Sequence, residues 1–342
     1  MKHARHPALL TALAPGLLAP GLLALAACAA QTPGTKVVST PEGALMDVSA
    51  DLAYSPGELT QAQLTSSTRD LLAMLAMNVF RRFPREVTQD MIRFYTGALG
   101  LRSLSPIQLT GTQQMILTGV GQGQIKLSAG QPEGRTYALG GGPSGGKGIR
   151  FFTLAYPDRE TVLDRFAEYG FEAPQFAEQS DGTQAALVTD PGGFPVQIVI
   201  RAGARPNGDD GVGVGINVSN FAESRAFYRD FVGLDELAAV EDKLLGITKY
   251  PYRNGETTLY LYNAGDGGTA DTGSAGIQYV VRDAAMVEAR RAERNIKVLT
   301  PLNKMRGFDL ITVWLADPDG VTNYFAQTGR NSRTAPSASA GN

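Results

Sequence analysis

Residues 221–237 read FAESRAFYRDFVGLDEL, and residues 316–320 read ADPDG. The first stretch predicts a helix over 224–231, because Phe227, Tyr228 and Phe231 fall on one stripe. Gly233 stands where a glycine past the last turn ends a helix. Ahead of it the apolar run 212–218, VGVGINV, alternates as a strand does. Behind it, 259–262 and 276–281 read as strands and 283–295 as a charged helix. A last strand pair flanks Asp319-Gly320. The order is strand, helix, then three strands, with a second helix between them.

The same pieces occur earlier in the chain. RFYTGALGL at 93–101 lines up with AFYRDFVGL at 226–234, and IKLSAG at 125–130 with YLYNAG at 260–265. TDPGG at 189–193 lines up with ADPDG at 316–320. The offsets run from about 127 to about 135 residues, which is the mark of a duplicated module. In the first copy, 90–99 reads as a helix closed by Gly100, 113–119 and 124–128 as strands, and 150–156 as a strand. A helix over 159–170 and a hairpin over 185–200 follow. Residues 70–79, DLLAMLAMNV, fit helix or strand by periodicity, and the comparison with the second copy favours a strand over their later part. Residues 140–148 are glycine-rich, but Lys147 is followed by Gly148 and Ile149, so they read as a loop and not a phosphate cradle.

The order and spacing of Asn217-Val218, Ser224–Tyr228, Val232-Gly233-Leu234 and Asp317–Gly320 resemble the vicinal oxygen chelate superfamily, which includes glyoxalase I, extradiol dioxygenases and bleomycin-resistance proteins. The resemblance spans about residues 65–327 and implies an α+β fold: two tandem βαβββ modules whose curved sheets form a cup. The organisation expected is a leader at 1–27, a tether at 28–64, a first module at 65–203 and a linker at 204–210. A second module at 211–328 and a disordered tail at 329–342 complete it.

The first residues carry their own signal. Lys2 and Arg5 precede a nearly unbroken apolar run over 9–27, which ends Leu25-Ala26-Ala27-Cys28. Small residues before a cysteine match the bacterial lipoprotein signal, so Cys28 is expected to become the lipidated amino terminus. A plain secretory peptide and an uncleaved anchor are the alternatives, and the Pro-Gly pairs at 15–16 and 20–21 weigh against the second. The expected location is the bacterial cell envelope, periplasm-facing and held to the membrane through Cys28. Cleavage there removes both histidines, His3 and His6, and leaves 29 basic against 33 acidic residues. That weak acidity gives no electrostatic reason to expect nucleic acid. With its one cysteine used, the chain has no disulfide framework.

In the superfamily's enzymes a divalent metal sits in the cup, held from a first strand, a middle strand, and a strand after the Asp-Pro-Asp-Gly turn. Carried onto the second module, these positions are Gly213, a residue near Gly276, and Tyr324. In the first they are Met74, Gly148 or Ile149, and Gln197. No histidine remains to serve as a ligand, so no metal and no cofactor is expected. Asp190, Asp317 and Asp319 fall in turns, where aspartate bonds its own backbone.

What remains is a polar and aromatic cup. Alternation places Asn217 inward, with Asn78 as its match in the first copy and Gln197 matched to Tyr324. Tyr260 and Tyr279, with Tyr262, are candidate lining residues. The expected partner is therefore a small organic ligand, bound at Asn78, Gln197, Asn217, Tyr324, Tyr260 and Tyr279. An enzyme with shifted Glu, Asp, Lys or Tyr groups and an envelope scaffold are the two other functions that the sequence leaves open. A duplicated chain can complete its cup alone, so a monomer suffices.

Overall fold

Three helices open by the same device, a short polar side chain accepting a hydrogen bond from the first turn. Asp158 accepts from Thr161 N at 2.7 Å, Asn220 from Glu223 N at 3.2 Å, and Asp283 from Met286 N at 2.9 Å. They sit in a computed structural model that describes residues 34–40, 44–110, 113–265 and 267–329. The leader at 1–27, Cys28 and the tail from 330 lie outside the described residues. No helix among the described residues is long and apolar enough to cross a membrane.

In chain order the strands are β1 (Lys36–Ser39), β2 (Leu45–Val48), β3 (Asn78–Phe83), β4 (Arg102–Thr110), β5 (Gln113–Val120) and β6 (Gly123–Ala129). Then come β7 (Gly148–Tyr156), β8 (Ala177–Glu178), β9 (Gln184–Thr189) and β10 (Pro195–Ile200). The second copy has β11 (Gly213–Asn217), β12 (Asp235–Glu236), β13 (Val240–Asp242), β14 (Ile247–Asn254) and β15 (Thr257–Tyr262). It ends with β16 (Ala275–Val280), β17 (Val298–Met305), β18 (Leu310–Ala316) and β19 (Thr322–Thr328). The helices are α1 (Gln61–Thr65), α2 (Thr88–Ile92), α3 (Arg159–Glu168), α4 (Phe221–Arg225) and α5 (Ala284–Glu293). Helices α2 and α4 each run on into a wider π-type turn, over Arg93–Ala98 and Ala226–Val232.

The expected α+β fold of curved sheets is the observed one, but each copy holds two βαβββ units where one was expected, and two cups form in place of one. The four units begin at β3, β7, β11 and β16. They do not pair in chain order. One curved sheet runs β1-β2-β17-β18-β19-β16-β3-β6-β5-β4, joining the first unit to the fourth. The other runs β12-β14-β15-β11-β7-β10-β9-β8, joining the second to the third. The seams are antiparallel: β16 against β3, with Gln278 opposite Asn78, and β11 against β7, with Gly213 opposite Thr153. The chain thus makes two cups, and each is built from halves of both copies.

One face of each sheet packs on the helices. Val79, Ile125, Phe152, Ile198, Val214, Leu259 and Ile277 share one buried cluster with Phe94, Phe166, Phe227 and Val287 from the helical segments. The repeated tyrosine and turn aspartate meet under this layer. Tyr95 donates to Asp190 Oδ2 at 3.1 Å, and Tyr228 to Asp317 Oδ2 at 2.8 Å. Each bond ties the end of a helical segment to a β turn, which gives the repeated motif a structural reason. Gly233 adopts φ 90° and ends its helix as expected.

The tether reading also changes: the described residues among 36–64 are built into the fold. Met46 and Asp47 of β2 pair with Met305 and Lys304 of β17. Gln61 of α1 donates to Glu293 at 2.7 Å, and Arg290 Nε donates to Gln63 O at 2.9 Å. The mixed Pro, Gly, Ser and Thr composition of the whole stretch hides two four-residue strands and a capped turn of helix. The strand expected over the later part of 70–79 begins at Asn78, and Thr68–Leu71 is a 3₁₀ turn.

Candidate functional site

The sheet faces turned away from the helices form the two cups. The cup of the second and third units is open, with a volume of about 560 Å³. Thr153, Ala155, Gln197, Val199, Gly213, Thr258 and Tyr260 line its floor, and Asp242 and Lys249 its wall. Phe151 and Tyr262 close one end, at 5.7 Å between rings, packed with Ile247. The glycine-rich loop covers that end: Tyr262 donates to Pro143 O at 2.6 Å, and Arg150 donates to the carbonyls of Ala138, Leu139, Gly140 and Gly142. The loop spends its carbonyls on a cation, which agrees with its reading as something other than a phosphate cradle.

A polar chain crosses the open floor. Thr153 Oγ1 donates to Gln197 Oε1 at 3.1 Å, and Gln197 Nε2 donates to Asp242 Oδ2 at 2.6 Å. Lys249 Nζ donates to the same oxygen at 2.7 Å and lies 4.6 Å from the Tyr260 ring centroid. Asp242 Oδ1 accepts from Leu245 N at 3.1 Å, which fixes the carboxylate. Burial pushes the Tyr260 hydroxyl above the usual phenol range. Arg201, Arg253, Asp181, Glu241 and Glu256 stand around the rim, so both charge signs face an entering molecule.

Strand pairing moves the matches made from sequence. In the open cup Gln197 lies beside Thr153 and Thr153 beside Gly213. In the other cup Tyr324 lies beside Gln278 and Gln278 beside Asn78. The match of Gln197 to Tyr324 follows from these rows. Asn78 instead matches Gly213, and the match of Asn217 is Arg82. The middle-strand positions are Thr153 and Gln278, in place of Gly148 or Ile149 and Gly276. Met74 lies before β3 and is no strand residue. Neither first strand carries a distinctive side chain at the shared position, so a slip of four residues leaves no mark in the sequence.

The six candidate residues therefore divide. Gln197 and Tyr260 belong to the open cup. Asn78 and Tyr324 belong to the other, where Asn78 Nδ2 donates to Gln278 Oε1 at 3.1 Å and Asn78 Oδ1 is buried with no partner among the described residues. Asn217 is fully buried and structural: it donates to Gly146 O at 2.8 Å and accepts from Ala264 N at 3.0 Å. Tyr279 is core, stacked on Phe325 at 4.7 Å and bonded to Asn323 at 3.1 Å. Asp242 and Lys249 do not stand out as a pair in the sequence. They reach the floor from β13 and β14, about 45 and 52 positions from Gln197, and no local spacing announces that meeting.

The residues at the superfamily's metal positions do not fit a divalent transition metal. The set is Gly213, Thr153 and Gln197 in one cup and Asn78, Gln278 and Tyr324 in the other, with no imidazole and no carboxylate among them. The first position of the open cup is also closed to a longer side chain: a Cβ on Gly213 would stand 2.7 Å from the Tyr260 ring and 2.9 Å from Thr153 Cβ. Among the described residues no group of three His, Cys, Asp or Glu side chains could hold a metal.

Residues 212–325 match the family profile described as Glyoxalase/Bleomycin resistance protein/Dioxygenase superfamily. No curated protein matches the chain by sequence. Among solved structures, glyoxalase I from Zea mays is similar at TM-score 0.60 and 18% identity, over 74% of this chain and 92% of that one. A putative dioxygenase from Bacillus subtilis subsp. subtilis str. 168 is similar at TM-score 0.57 and 15% identity, over 77% and 86%. The profile supports that superfamily over residues 212–325, and the likeness to the solved structures is one of fold.

Proposed function

We propose that this glyoxalase-like chain binds a small polar organic molecule in its open cup without a transition metal. The observation that carries the reading is the Thr153–Gln197–Asp242–Lys249 chain, which occupies the floor where the superfamily's enzymes hold their metal. The chain offers hydrogen-bond donors and acceptors fixed by backbone and by one another, beside an aromatic face. Such a floor orients a ligand by hydrogen bonding and stacking. The mixed charges at the rim favour a polar or zwitterionic molecule over an apolar one.

Two measurements test this. Elemental analysis of the full chain, purified without chelator or polyhistidine tag, is expected to find no stoichiometric iron, nickel, manganese or zinc. A stoichiometric metal would sink the metal-free reading. A thermal-shift screen of polar metabolite-sized compounds is expected to give hits whose shift is lost in both Gln197→Ala and Tyr260→Leu. A broad library with no hit, or hits indifferent to both substitutions, counts against the cup as a ligand site.

The reading includes a place. The apolar run before Leu25-Ala26-Ala27-Cys28 supports a lipid anchor at Cys28, which would hold the cup at the face of the cell envelope. Metabolic labelling with an alkynyl fatty acid is expected to label the wild-type chain and not Cys28→Ser. No label on the wild-type chain, or equal label on both, would refute the anchor.

A further inference from the structure

The second cup is chemically unlike the first. It encloses about 130 Å³ between β3, β4, β5 and β6 on one side and β16, β18 and β19 on the other. Phe80, Ile107, Leu109, Met115, Met305 and Leu310 make most of its lining apolar. Two cations, Lys126 and Arg82, also line it, and among the described residues no carboxylate does. Arg82 is occupied: its guanidinium lies 4.5 Å over the Phe80 ring and donates to Gly273 O at 3.3 Å. Lys126 projects from β6 with no hydrogen bond and no ion pair among the described residues. Trp314, buried to 7% exposure, lines the same cavity, and its indole N–H has no acceptor among them.

We infer that this cup is a binding site for a small apolar carboxylate, with Lys126 as the counter-ion and the Trp314 indole as a second donor. An unpaired ammonium and an unused N–H in an apolar enclosure cost free energy unless something accepts their hydrogen bonds. An anion supplies both acceptors, and an apolar body fills the rest. A cavity of about 150 Å³ lined by Leu, Ile and Phe holds a benzene-sized molecule, so the enclosure suits a carboxylate of about that size. A phosphate would turn its remaining oxygens toward Ile107, Leu109 and Met115, which favours the carboxylate. Burial lowers the Lys126 ammonium to about 8, so it is charged in neutral solution and discharged in alkali. The site is separate from the open cup and does not depend on a ligand there.

Trp314 is the chain's one tryptophan, so the cavity carries its own reporter. The test is a fluorescence titration of the full chain with sodium benzoate and with benzamide, its neutral analogue of similar shape. Benzoate is expected to give a saturable change and to bind at least about 10-fold more tightly than benzamide. The preference is expected to vanish in Lys126→Met and in Lys126→Gln, and to fade between about pH 7 and about pH 10 as the ammonium loses its proton. Gln197→Ala is expected to leave it unchanged. No saturable change, equal affinity for the two probes, or a preference that survives both Lys126 variants would overturn the inference. Loss of the signal in Gln197→Ala would place the ligand in the open cup and overturn it equally.

Discussion

Asp190→Ala is expected to cost about 3–5 kcal/mol of folding stability, measured by equilibrium urea unfolding of the full chain. Asp190 and Arg81 form an ion pair in which neither side chain is exposed. Arg81 Nε donates to Asp190 Oδ2 at 2.9 Å and Nη2 to Oδ1 at 3.1 Å, a two-pronged geometry. The rest of the guanidinium is spent on backbone: Nη2 reaches Gly192 O at 2.9 Å, and Nη1 bonds Arg82 O. Phe194 N and the Tyr95 hydroxyl complete the carboxylate's shell, at 2.9 and 3.1 Å. Removing the carboxylate leaves a cation in a dry interior and strips two more donors of their acceptor. That penalty, and not the net worth of the pair, is what the substitution reads. Arg81→Met combined with Asp190→Asn is expected to recover much of the loss, because no lone charge is then buried. A cost below about 1 kcal/mol for Asp190→Ala would mean that water reaches the pair.

The helix ended by Gly233, the strand over 213–217 and the Asp-Pro turns are legible because their signals are local: a stripe, an alternation, a glycine, a turn residue. The tyrosine of each copy also repeats with its turn aspartate, and the two prove to be bonded partners. Sheet order is not legible. One neighbour of β3 is β16, about 200 residues onward, and nothing in either strand names the other. Strands β4 and β17 escape the sequence reading altogether. Each carries a proline, Pro106 or Pro301, at an irregularity in its register, and a proline inside a run argues against a strand. The site suffers most. Gln197 is legible because it follows a recognisable turn, whereas Asp242 and Lys249 reach it only through the seam between β7 and β11. The duplication also conceals a difference: Asp190 has a buried arginine, and the equivalent Asp317 does not, because Ile216 stands where Arg81 would be.

That difference gives the second large effect, which appears in the dependence of stability on pH. Asp317 Oδ1 accepts from Asp319 N at 3.0 Å and Val321 N at 2.7 Å, while Oδ2 accepts from Tyr228. These bonds favour the carboxylate, but among the described residues no cation pairs with it, and burial raises the carboxyl from 3.8 to about 7. The folded chain therefore holds this proton more tightly than the unfolded chain does. Its contribution is fully present below about pH 3.8 and is lost progressively as pH rises toward 7. At about 1.4 kcal/mol for each tenfold difference in proton affinity between the two states, the loss amounts to roughly 4 kcal/mol. Asp317→Asn keeps an oxygen for the two backbone donors and carries no charge, so it should remove this dependence. Carboxylates held down by arginines, such as Asp70 beside Arg290 and Asp230 beside Arg229, add stability in the opposite direction as pH rises. The informative curve is thus the difference between wild type and variant. Urea midpoints measured from about pH 4 to about pH 8 should show Asp317→Asn gaining on wild type with rising pH and levelling off above about 7. A flat difference would mean that the three hydrogen bonds outweigh burial and that Asp317 is ionised throughout, as a turn aspartate with a cation beside it would be.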